Sequence, residues 1–342
     1  KKIGLFWLRD DFRIFKNNGL AEATSNHDQV VVFYLYKKSI YKEQEAQKWW
    51  LNKSLINFQK SLVRFNINLE IIETESFKIF FEKLFTRNDF SIYWNKVYEP
   101  DYLKFDKYLL KNLENNSIKY KLCKGNTLNE IEEIKKSDGT PFKVFTPFWR
   151  NAEKHYIEKI PSKEKILKKC LKKKNYFKKC INPKEILPKK NWFKNFEDTW
   201  VPDEDSALKE LKNFIKSKIM DYSNGRNFPN IIGTSKLSPF IKFGQIHVET
   251  IWAECTKKIP RNLGTSKYLA EIGWREFNHS LINHFPHMLK NNYSKKFDKF
   301  PWVKNNKFLF YWKKGLTGYP IVDAGMRELY STGWMHNRVR MI

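Results

Sequence analysis

The sequence predicts two structural parts, an N-terminal α/β domain built on a parallel sheet and an all-α domain that follows it. Short apolar runs of the kind that form buried strands occur at residues 3–8, 30–36, 69–72 and 91–94. Helical patterns separate these runs, at residues 43–65 and 77–85. Strands that alternate with helices are typical of a parallel sheet with helices on both faces, and from residue 202 onward helical spacing dominates.

The helix at residues 43–65 has the clearest pattern in this half. Its apolar residues recur at i, i+4, i+7 and i+11, which places them on one face. They are Leu51, Leu55, Phe58 and Leu62. The turn after the first strand, LRDD at residues 8–11, lacks the GxGxxG pattern. We therefore expect a Rossmann-like layout without a standard dinucleotide site at that turn.

Composition divides the chain into three segments. Residues 1–150 form the predicted α/β domain, and residues 201–342 form the predicted helical domain. Residues 151–200 are rich in lysine, contain prolines and have weak periodicity, which predicts an exposed basic connection between domains. Its lysines either touch DNA phosphates or form a solvated face, and the solvated face is the more common case.

The charge balance indicates a polyanionic partner. The chain has 64 Lys and Arg residues against 37 Asp and Glu residues, a formal net charge of +27. An excess of this size is typical of proteins that bind nucleic acid. The alternative source is compositional bias toward Lys, Asn and Ile, because lysine replaces neutral surface residues at little cost.

Cysteine and histidine spacing predicts no metal site. The four cysteines and seven histidines show no spacing of metal ligands. Free thiols are typical of a reducing compartment, so we expect a cytoplasmic protein. No run approaches the roughly 20 apolar residues that span a membrane, so we expect no membrane association. We also expect a monomer.

Residues 315–342 combine a turn, a helix and an unusual polar stretch. Gly318 and Pro320 break the chain, and Pro320 suits a first helical turn. After a second break at Gly333, large apolar, amide and cationic side chains follow one another without a clean face. They are Trp334, Met335, His336, Asn337, Arg338 and Arg340. A plain amphipathic helix would segregate them, so we interpret this stretch as the wall of a site.

A second block is dense in hydroxyl residues. Residues 222–229 read YSNGRNFP and residues 233–239 read GTSKLSP. Hydroxyl and backbone N–H groups before a helix can bind a phosphate. The ordinary alternative is a helix N-cap without a ligand.

A third block, residues 268–278, reads YLAEIGWREFN. Four of its side chains fall at i, i+3, i+4 and i+7 on one helix face, and they are Glu271, Trp274, Arg275 and Asn278. An acid, an indole, a guanidinium and an amide make a poor core stripe. They suit a flipped-out pyrimidine pair, or else Glu271 and Arg275 form a surface salt bridge beside a half-buried tryptophan.

Together these blocks resemble the photolyase and cryptochrome family, and most narrowly the class I photolyases that repair cyclobutane pyrimidine dimers. Residues 6–20, 46–55 and 139–150 resemble the family's opening strand, first long helix and domain-closing block. The stretch MHN at residues 335–337 differs from the paired histidines of six-four photoproduct enzymes. The resemblance implies an α/β antenna domain, a helical FAD-binding domain and light-driven repair of damaged DNA.

The resemblance also assigns roles to residues. It implies that FAD is held by Tyr222, Thr234, Ser235, Lys236, Leu237, Ser238, Tyr268 and Arg340. The DNA-facing set that it implies is Arg226, Glu271, Trp274, Arg275, Asn278, Asn337 and Arg338. The residues implied in catalysis are Glu271 and Asn337 at the lesion, and Trp302 as the outermost tryptophan of an electron-transfer chain to the flavin. Asn278 departs from the tyrosine common in bacterial members.

The family's second, light-harvesting chromophore is an open question in this sequence. Tyr102 and Leu289 stand where the folate-binding members have a glutamate and a cysteine, and Lys290 alone fits. The alternatives to folate are a deazaflavin, another flavin or no second chromophore.

Three functions are compatible with these blocks. The first is a deoxyribodipyrimidine photolyase that acts on DNA containing pyrimidine dimers. The second is a cryptochrome-like signalling flavoprotein. The third is an inactive DNA-binding remnant, because the family continues past residue 342 with further flavin-contacting helices. The DNA-facing set and the high charge favour repair.

Overall fold

The structure is a computed structural model that describes residues 2–42, 44–159, 166–172, 175–257 and 260–342. Within these ranges, the N-terminal part is built on five parallel strands. They are β1 (Ile3–Leu8), β2 (Val30–Tyr36), β3 (Asn68–Glu73), β4 (Phe90–Asn95) and β5 (Tyr120–Cys123). Their order in the sheet is β3-β2-β1-β4-β5.

Helices cover both faces of this sheet. The four that do so are α1 (Asn18–Asn26), α2 (Glu45–Val63), α3 (Phe77–Phe85) and α4 (Pro100–Asn115). Alternate residues of β1 point to opposite faces. Phe6 and Leu8 share a core with α1 and α2, whereas Leu5 and Trp7 share one with α3 and α4. The predicted fold class is confirmed.

The element bounds differ from the sequence prediction in a few places. The helix predicted at residues 77–85 has these bounds. The helix predicted at residues 43–65 runs from Glu45 to Val63, because Gln44 is its non-helical N-cap, and residue 43 lies outside the described residues. The sequence did not predict α1, α4 or β5. These elements have weak apolar patterns: of the residues in β5 only Cys123 is buried, and α4 buries Asp106, Leu109 and Leu113.

After Cys123 the described residues contain helices, turns and extended segments but no strand. The longer helices are α5 (Phe145–Glu158), α7 (Glu204–Ser217), α10 (Val248–Lys257), α11 (Leu263–His284), α12 (Asn306–Lys314) and α13 (Pro320–Thr332). The shorter ones are α6 (Lys194–Thr199), α8 (Tyr222–Gly225), α9 (Ser238–Lys242) and α14 (Asn337–Arg340). Single 3₁₀ turns lie at Lys38–Tyr41, Ile131–Glu133, Pro183–Ile186, Pro286–Leu289 and Lys295–Phe297.

The segment predicted as an exposed connection packs back onto the α/β domain. The backbone N–H of Ile181 donates to the carbonyl of Ile71 at 2.8 Å. The Glu70 carboxylate accepts from the N–H groups of Tyr176 and Phe177 at 2.8 and 2.7 Å. Among its described residues, Lys168, Lys169, Lys172, Lys178 and Lys179 are exposed whereas Leu167, Cys170 and Tyr176 are buried, so its lysine content hid a packed segment. The predicted boundary at residue 150 falls inside α5, and residues 160–165 and 173–174 of the predicted connection lie outside the described residues.

The loop that follows β5 joins the two parts of the molecule. The Asn126 side chain donates to the carbonyls of Ile241 and Ile246 at 3.3 and 3.0 Å, and accepts from the N–H of Val248 at 2.9 Å. The Asn126 carbonyl accepts from Nη1 of Arg275 on α11 at 2.6 Å. Asn126 thus connects the loop to α9 and α10 through its side chain and to α11 through its backbone carbonyl.

A buried carboxylate strengthens the same connection. Oε1 of Glu276 on α11 accepts a hydrogen bond from the N–H of Leu128. Burial raises the pKa of Glu276 to about 7, and this N–H and the Arg275 charge offset only part of the effect. Because the folded state then holds a proton more tightly than the unfolded chain, the contribution of Glu276 to the free energy of unfolding falls as pH rises from about 4.5 to about 7.

We predict that Glu276→Gln flattens this pH dependence. The neutral amide still accepts from Leu128 but has no charge to bury, so its stability relative to the unmodified chain should rise by up to about 3 kcal/mol across this pH range. Urea unfolding at a series of pH values measures the difference. Glu210→Gln, on a half-exposed position of α7, is the matched control. Parallel curves for the unmodified chain and Glu276→Gln would contradict the prediction.

Candidate functional site

One face of α11 forms the wall of a cavity of about 660 Å³, which we call the helix cavity. Glu271, Trp274, Arg275 and Asn278 all line it, as their helical spacing predicts. The other walls come from α8, the hydroxyl-rich loop with α9, the loops after β1, β4 and β5, and the start of α14. Besides the four residues above, the lining includes Tyr98, Tyr222, Ser235, Ser238, Tyr268 and Asn337.

A second cavity of about 540 Å³, the loop cavity, lies on the other side of the hydroxyl-rich loop. Residues 234–239 line it from one side, and residues 332–335, Asn337 and Arg340 line it from the other. Trp50 on α2 closes it, held by a hydrogen bond of 3.1 Å from its indole N–H to Oε1 of Gln245. Ser235, Ser238, Lys242 and Asn337 border both cavities. The eight residues predicted to hold FAD therefore all line one or both cavities.

Two tyrosines meet at the wall of the helix cavity. The rings of Tyr222 and Tyr268 lie edge to face, with centroids 5.1 Å apart, and both contact Phe214. Burial raises the pKa of Tyr222 to about 12 and that of Tyr268 further, so both phenols are neutral at physiological pH. The Tyr268 hydroxyl is buried next to Ser235, but no described residue lies within ordinary hydrogen-bond distance of it. A buried donor without a partner suits a ligand that supplies one.

The hydroxyl-rich loop turns at Lys236, which has a φ of 52°. This left-handed conformation is uncommon for a residue other than glycine. The Lys236 ammonium lies 4.9 Å from the ring centroid of Trp334, across the loop cavity. This cation–π contact connects the two predicted cofactor-binding segments.

Glu271 pairs with Arg226, not with Arg275. The two side chains form an ion pair at the edge of the helix cavity, and the Arg226 guanidinium lies 5.3 Å from the Tyr222 ring centroid. The alternative of a Glu271–Arg275 surface pair is therefore wrong. Spacing within one helix cannot show a partner that comes from a separate segment.

Arg275 lines the cavity and also stabilises the fold through a hydrogen bond. Its bond to the Asn126 carbonyl commits one guanidinium nitrogen, and burial lowers its pKa. A DNA contact by Arg275, which the family resemblance implies, would have to use the remaining N–H groups.

Of the other predicted DNA-facing residues, Trp274, Asn278 and Asn337 line the helix cavity and Arg338 does not. Trp274 is 40% exposed, and Asn278 and Asn337 are also exposed. Arg338 does not line the cavity but donates twice to Oδ1 of Asn227, at 3.1 and 2.6 Å. That bond fixes the guanidinium beside the segment that carries Arg226.

Trp302 is not part of either cavity. Its side chain is 79% exposed, and its ring contact is with Phe300, at a centroid distance of 4.5 Å. It lies in the extended segment before α12, where no described helix packs over it. The structure thus does not bring this predicted catalytic residue to the site.

Sequence reasoning missed Lys242, which borders both cavities. Its ammonium pairs with Asp10 at 2.8 Å and with Glu99 at 2.9 Å, and these acids, Asp10 first, raise its pKa. Lys242 follows Ser238 by one helical turn, a spacing that could have drawn attention to it. Its partners follow β1 and β4 and have no local signal.

A third cavity of about 660 Å³, the sheet-edge cavity, lies at the carboxyl ends of the strands. Tyr102 lines it together with Phe77, Phe105 and Lys242. Leu289 and Lys290 are the other two positions that were compared with the folate-binding members. They do not line this cavity and are exposed. Only one of those three positions therefore belongs to this cavity.

The described residues contain no group of three or more His, Cys, Asp or Glu side chains placed to hold a metal ion. Across them, too, every helix is too short or too polar to cross a membrane. The four cysteines are free thiols.

Comparison with known proteins identifies relatives of both parts of the chain. Residues 4–165 match the family model described as DNA photolyase, and residues 268–342 match the FAD binding domain of DNA photolyase. A deoxyribodipyrimidine photo-lyase of Agrobacterium fabrum is 34% identical over 344 residues, which cover 99% of this chain and 71% of that protein. Cryptochrome-2 of Arabidopsis thaliana is 28% identical over 99% of this chain and 58% of its own length.

A solved structure supports the same relationship. A bacterial class III photolyase from Agrobacterium tumefaciens superposes with a TM-score of 0.91 at 33% identity, over 100% of this chain and 71% of that one. The predicted family and the predicted FAD-binding domain are confirmed. The narrower resemblance was to class I, whereas this neighbour is described as class III.

The residues present fit FAD. Two adjoining cavities share the hydroxyl-rich loop, and among the described residues none lies within ordinary hydrogen-bond distance of the buried Tyr268 hydroxyl. A flavin dinucleotide has rings to pack on the tyrosines and polar groups to satisfy that hydroxyl.

We predict that Tyr268→Phe weakens FAD binding without destabilising the free chain. The lost hydrogen bond should cost about fivefold to tenfold in affinity. Removal of an unpaired buried hydroxyl should leave the free energy of unfolding unchanged or raise it by up to about 1 kcal/mol. Flavin fluorescence titration in the dark and urea unfolding are the two measurements. Tyr156→Phe, on α5 and outside both cavities, is the control; equal FAD affinity for Tyr268→Phe and the unmodified chain would refute the prediction.

Proposed function

The chain belongs to the DNA photolyase family, and from this membership and the geometry of its site we propose that it repairs cyclobutane pyrimidine dimers in DNA with light. The observation that carries the proposal is a shared cavity wall. Tyr222 and Tyr268 of the cofactor set line the helix cavity together with Glu271 and Trp274 of the lesion set. A dimer flipped into this cavity would therefore lie against the flavin site.

Cofactor and lesion would use different walls of the two cavities. Tyr222, Tyr268 and the hydroxyl groups of residues 234–238 would hold FAD, with Arg340 on the far side of the loop cavity. The chemistry that FAD supplies when bound is light-driven donation of one electron to the dimer. The chain's own side chains contribute binding, orientation and electrostatics.

The lesion-facing residues would recognise the dimer by stacking and hydrogen bonding. The exposed indole of Trp274 offers a stacking surface for a flipped pyrimidine pair. The Glu271 carboxylate and the Asn337 amide offer an acceptor and a donor for base edges. Because Arg226 already pairs with Glu271, the carboxylate is held in place before DNA arrives.

General affinity for DNA would come from the positive charge of the chain. A formal net charge of +27 supplies attraction to phosphates that does not depend on sequence. We propose that the protein acts as a monomer on DNA in the cytoplasm. Binding to undamaged DNA should accordingly weaken steeply as salt is raised.

The sheet-edge cavity is the place that we propose for a second chromophore. Its rings, from Tyr102, Phe77 and Phe105, suit a flat aromatic ligand. The flavin-type candidates are a deazaflavin and another flavin.

Signalling without repair is the second candidate, favoured by the similarity to Cryptochrome-2. A repair assay separates the two. The chain is loaded with FAD, reduced and illuminated with blue light together with an oligonucleotide that contains a thymine dimer. Repair restores the ultraviolet absorbance of the thymines. A flavin-loaded chain that binds dimer DNA and leaves it unrepaired in the light would reject the proposal.

We predict that Trp274→Ala lowers the preference for damaged DNA. Loss of the stacking surface should weaken binding to dimer-containing DNA by at least about fivefold. Binding to undamaged DNA should hardly change, because phosphate contacts carry it. Electrophoretic titration of both DNAs in the dark gives the ratio, with the exposed Tyr330→Ala on α13 as control. Equal losses for the two DNAs would count against the assignment of Trp274.

A further inference from the structure

The indole of Trp274 lies flat against the ring of Phe145, the first residue of α5. The two ring centroids are 3.8 Å apart and the planes differ by 8°. Phe277 meets the same indole edge on, at 5.8 Å and 73°. Trp274 lines the helix cavity, whereas Phe145 lies behind it and outside that lining. One indole face is therefore covered by protein, and the other faces the cavity.

Phe145 is itself held by an aromatic stack on α5. Its ring is parallel to that of Trp149, one turn further along, at 6.5 Å and 7°, and it meets Phe277 at 5.9 Å and 67°. Trp149 in turn packs directly on the backbone of α11. A Cβ atom at Gly273 would lie 2.1 Å from Cε3 of Trp149, so only glycine allows this approach.

Covering one face has a physical consequence for the exposed indole. A half-exposed tryptophan can occupy several rotamers, and ordering it on binding costs affinity. Parallel and edge-on aromatic contacts favour a single ring orientation. A ring that is already fixed can accept a flat ligand on its open face without that cost.

We propose that Phe145 is a positioning residue, which holds the Trp274 indole in the plane that receives a flipped pyrimidine pair. The inference rests on the proposed function, because it assumes that Trp274 stacks on the lesion. It gives a role to the block at residues 139–150, which closes the α/β part and otherwise contributes nothing to the helix cavity.

The test combines a ring-orientation measurement with a binding ratio. The full chain is labelled with fluorotryptophan, and the Trp274 resonance is identified by its loss in Trp274→Phe. Phe145→Leu should shift or broaden this fluorine resonance and lower the preference for dimer-containing over undamaged DNA by about threefold to tenfold. Phe145→Tyr keeps the stack and should restore both properties.

Phe148→Leu is the matched control for packing. Phe148 lies on the same helix and contacts Phe142 and Phe277, but makes no ring contact with Trp274. It should lower the melting temperature while the Trp274 resonance and the DNA preference stay as in the unmodified chain.

Three results would overturn the inference. The first is an unchanged Trp274 resonance in Phe145→Leu. The second is a changed resonance with an unchanged DNA preference, while Trp274→Ala still loses that preference. The third is a Phe148→Leu variant that matches Phe145→Leu in both measurements. Failure of the proposed function looks different, because the unmodified chain itself would then show no preference for dimer DNA, or would bind dimer DNA and leave it unrepaired in the light.

Discussion

The site depends on a buried polar connection between the loop after β5 and the helices of the second part. Asn126 satisfies two carbonyls and one N–H of the segment around α9 and α10, while Glu276 and Arg275 attach α11 to the same loop. Each of these groups is costly to bury without its partner. The helix that carries the lesion-facing residues is therefore held by the buried Glu276 and by the Arg275–Asn126 contact, which itself forms part of the cavity wall.

Along this single helix, some residues hold the helix in place and others are exposed to the cavity. Within three consecutive positions of α11, Trp274 opens to the cavity, Arg275 reaches back to Asn126 and Glu276 is buried against Leu128. Two other arginine side chains near the cavity are also held by protein contacts. Arg226 forms an ion pair with Glu271, and Arg338 donates hydrogen bonds to Asn227. Side chains held in this way lose little further freedom when DNA binds.

The sequence predicted the layers of the fold well, because buried parallel strands are continuous apolar runs and α2 and α3 have clear apolar faces. It failed where apolar residues alternate with lysines, as in the connection that pairs with Glu70 and Ile71. The helix face from Glu271 to Asn278 was predictable from spacing alone. The ion pairs of Glu271 and Lys242 were not, since their partners come from distant segments. Trp302 was assigned to the site from a sequence motif. Its local sequence does not show which elements pack against it, so the motif could not predict its exposure.

The contact between Gly273 and Trp149 constrains how this protein can change over evolution. A side chain at position 273 and an indole at position 149 would occupy the same space. A mutation at residue 273 is thus acceptable only after residue 149 has become smaller, and that earlier step removes a ring from the stack beneath Phe145. This geometry fixes the order of the two substitutions. The substitution at residue 149 comes first, and it alters the aromatic packing behind Trp274. These two positions are therefore expected to show strong epistasis in any set of variants, although neither lines the helix cavity.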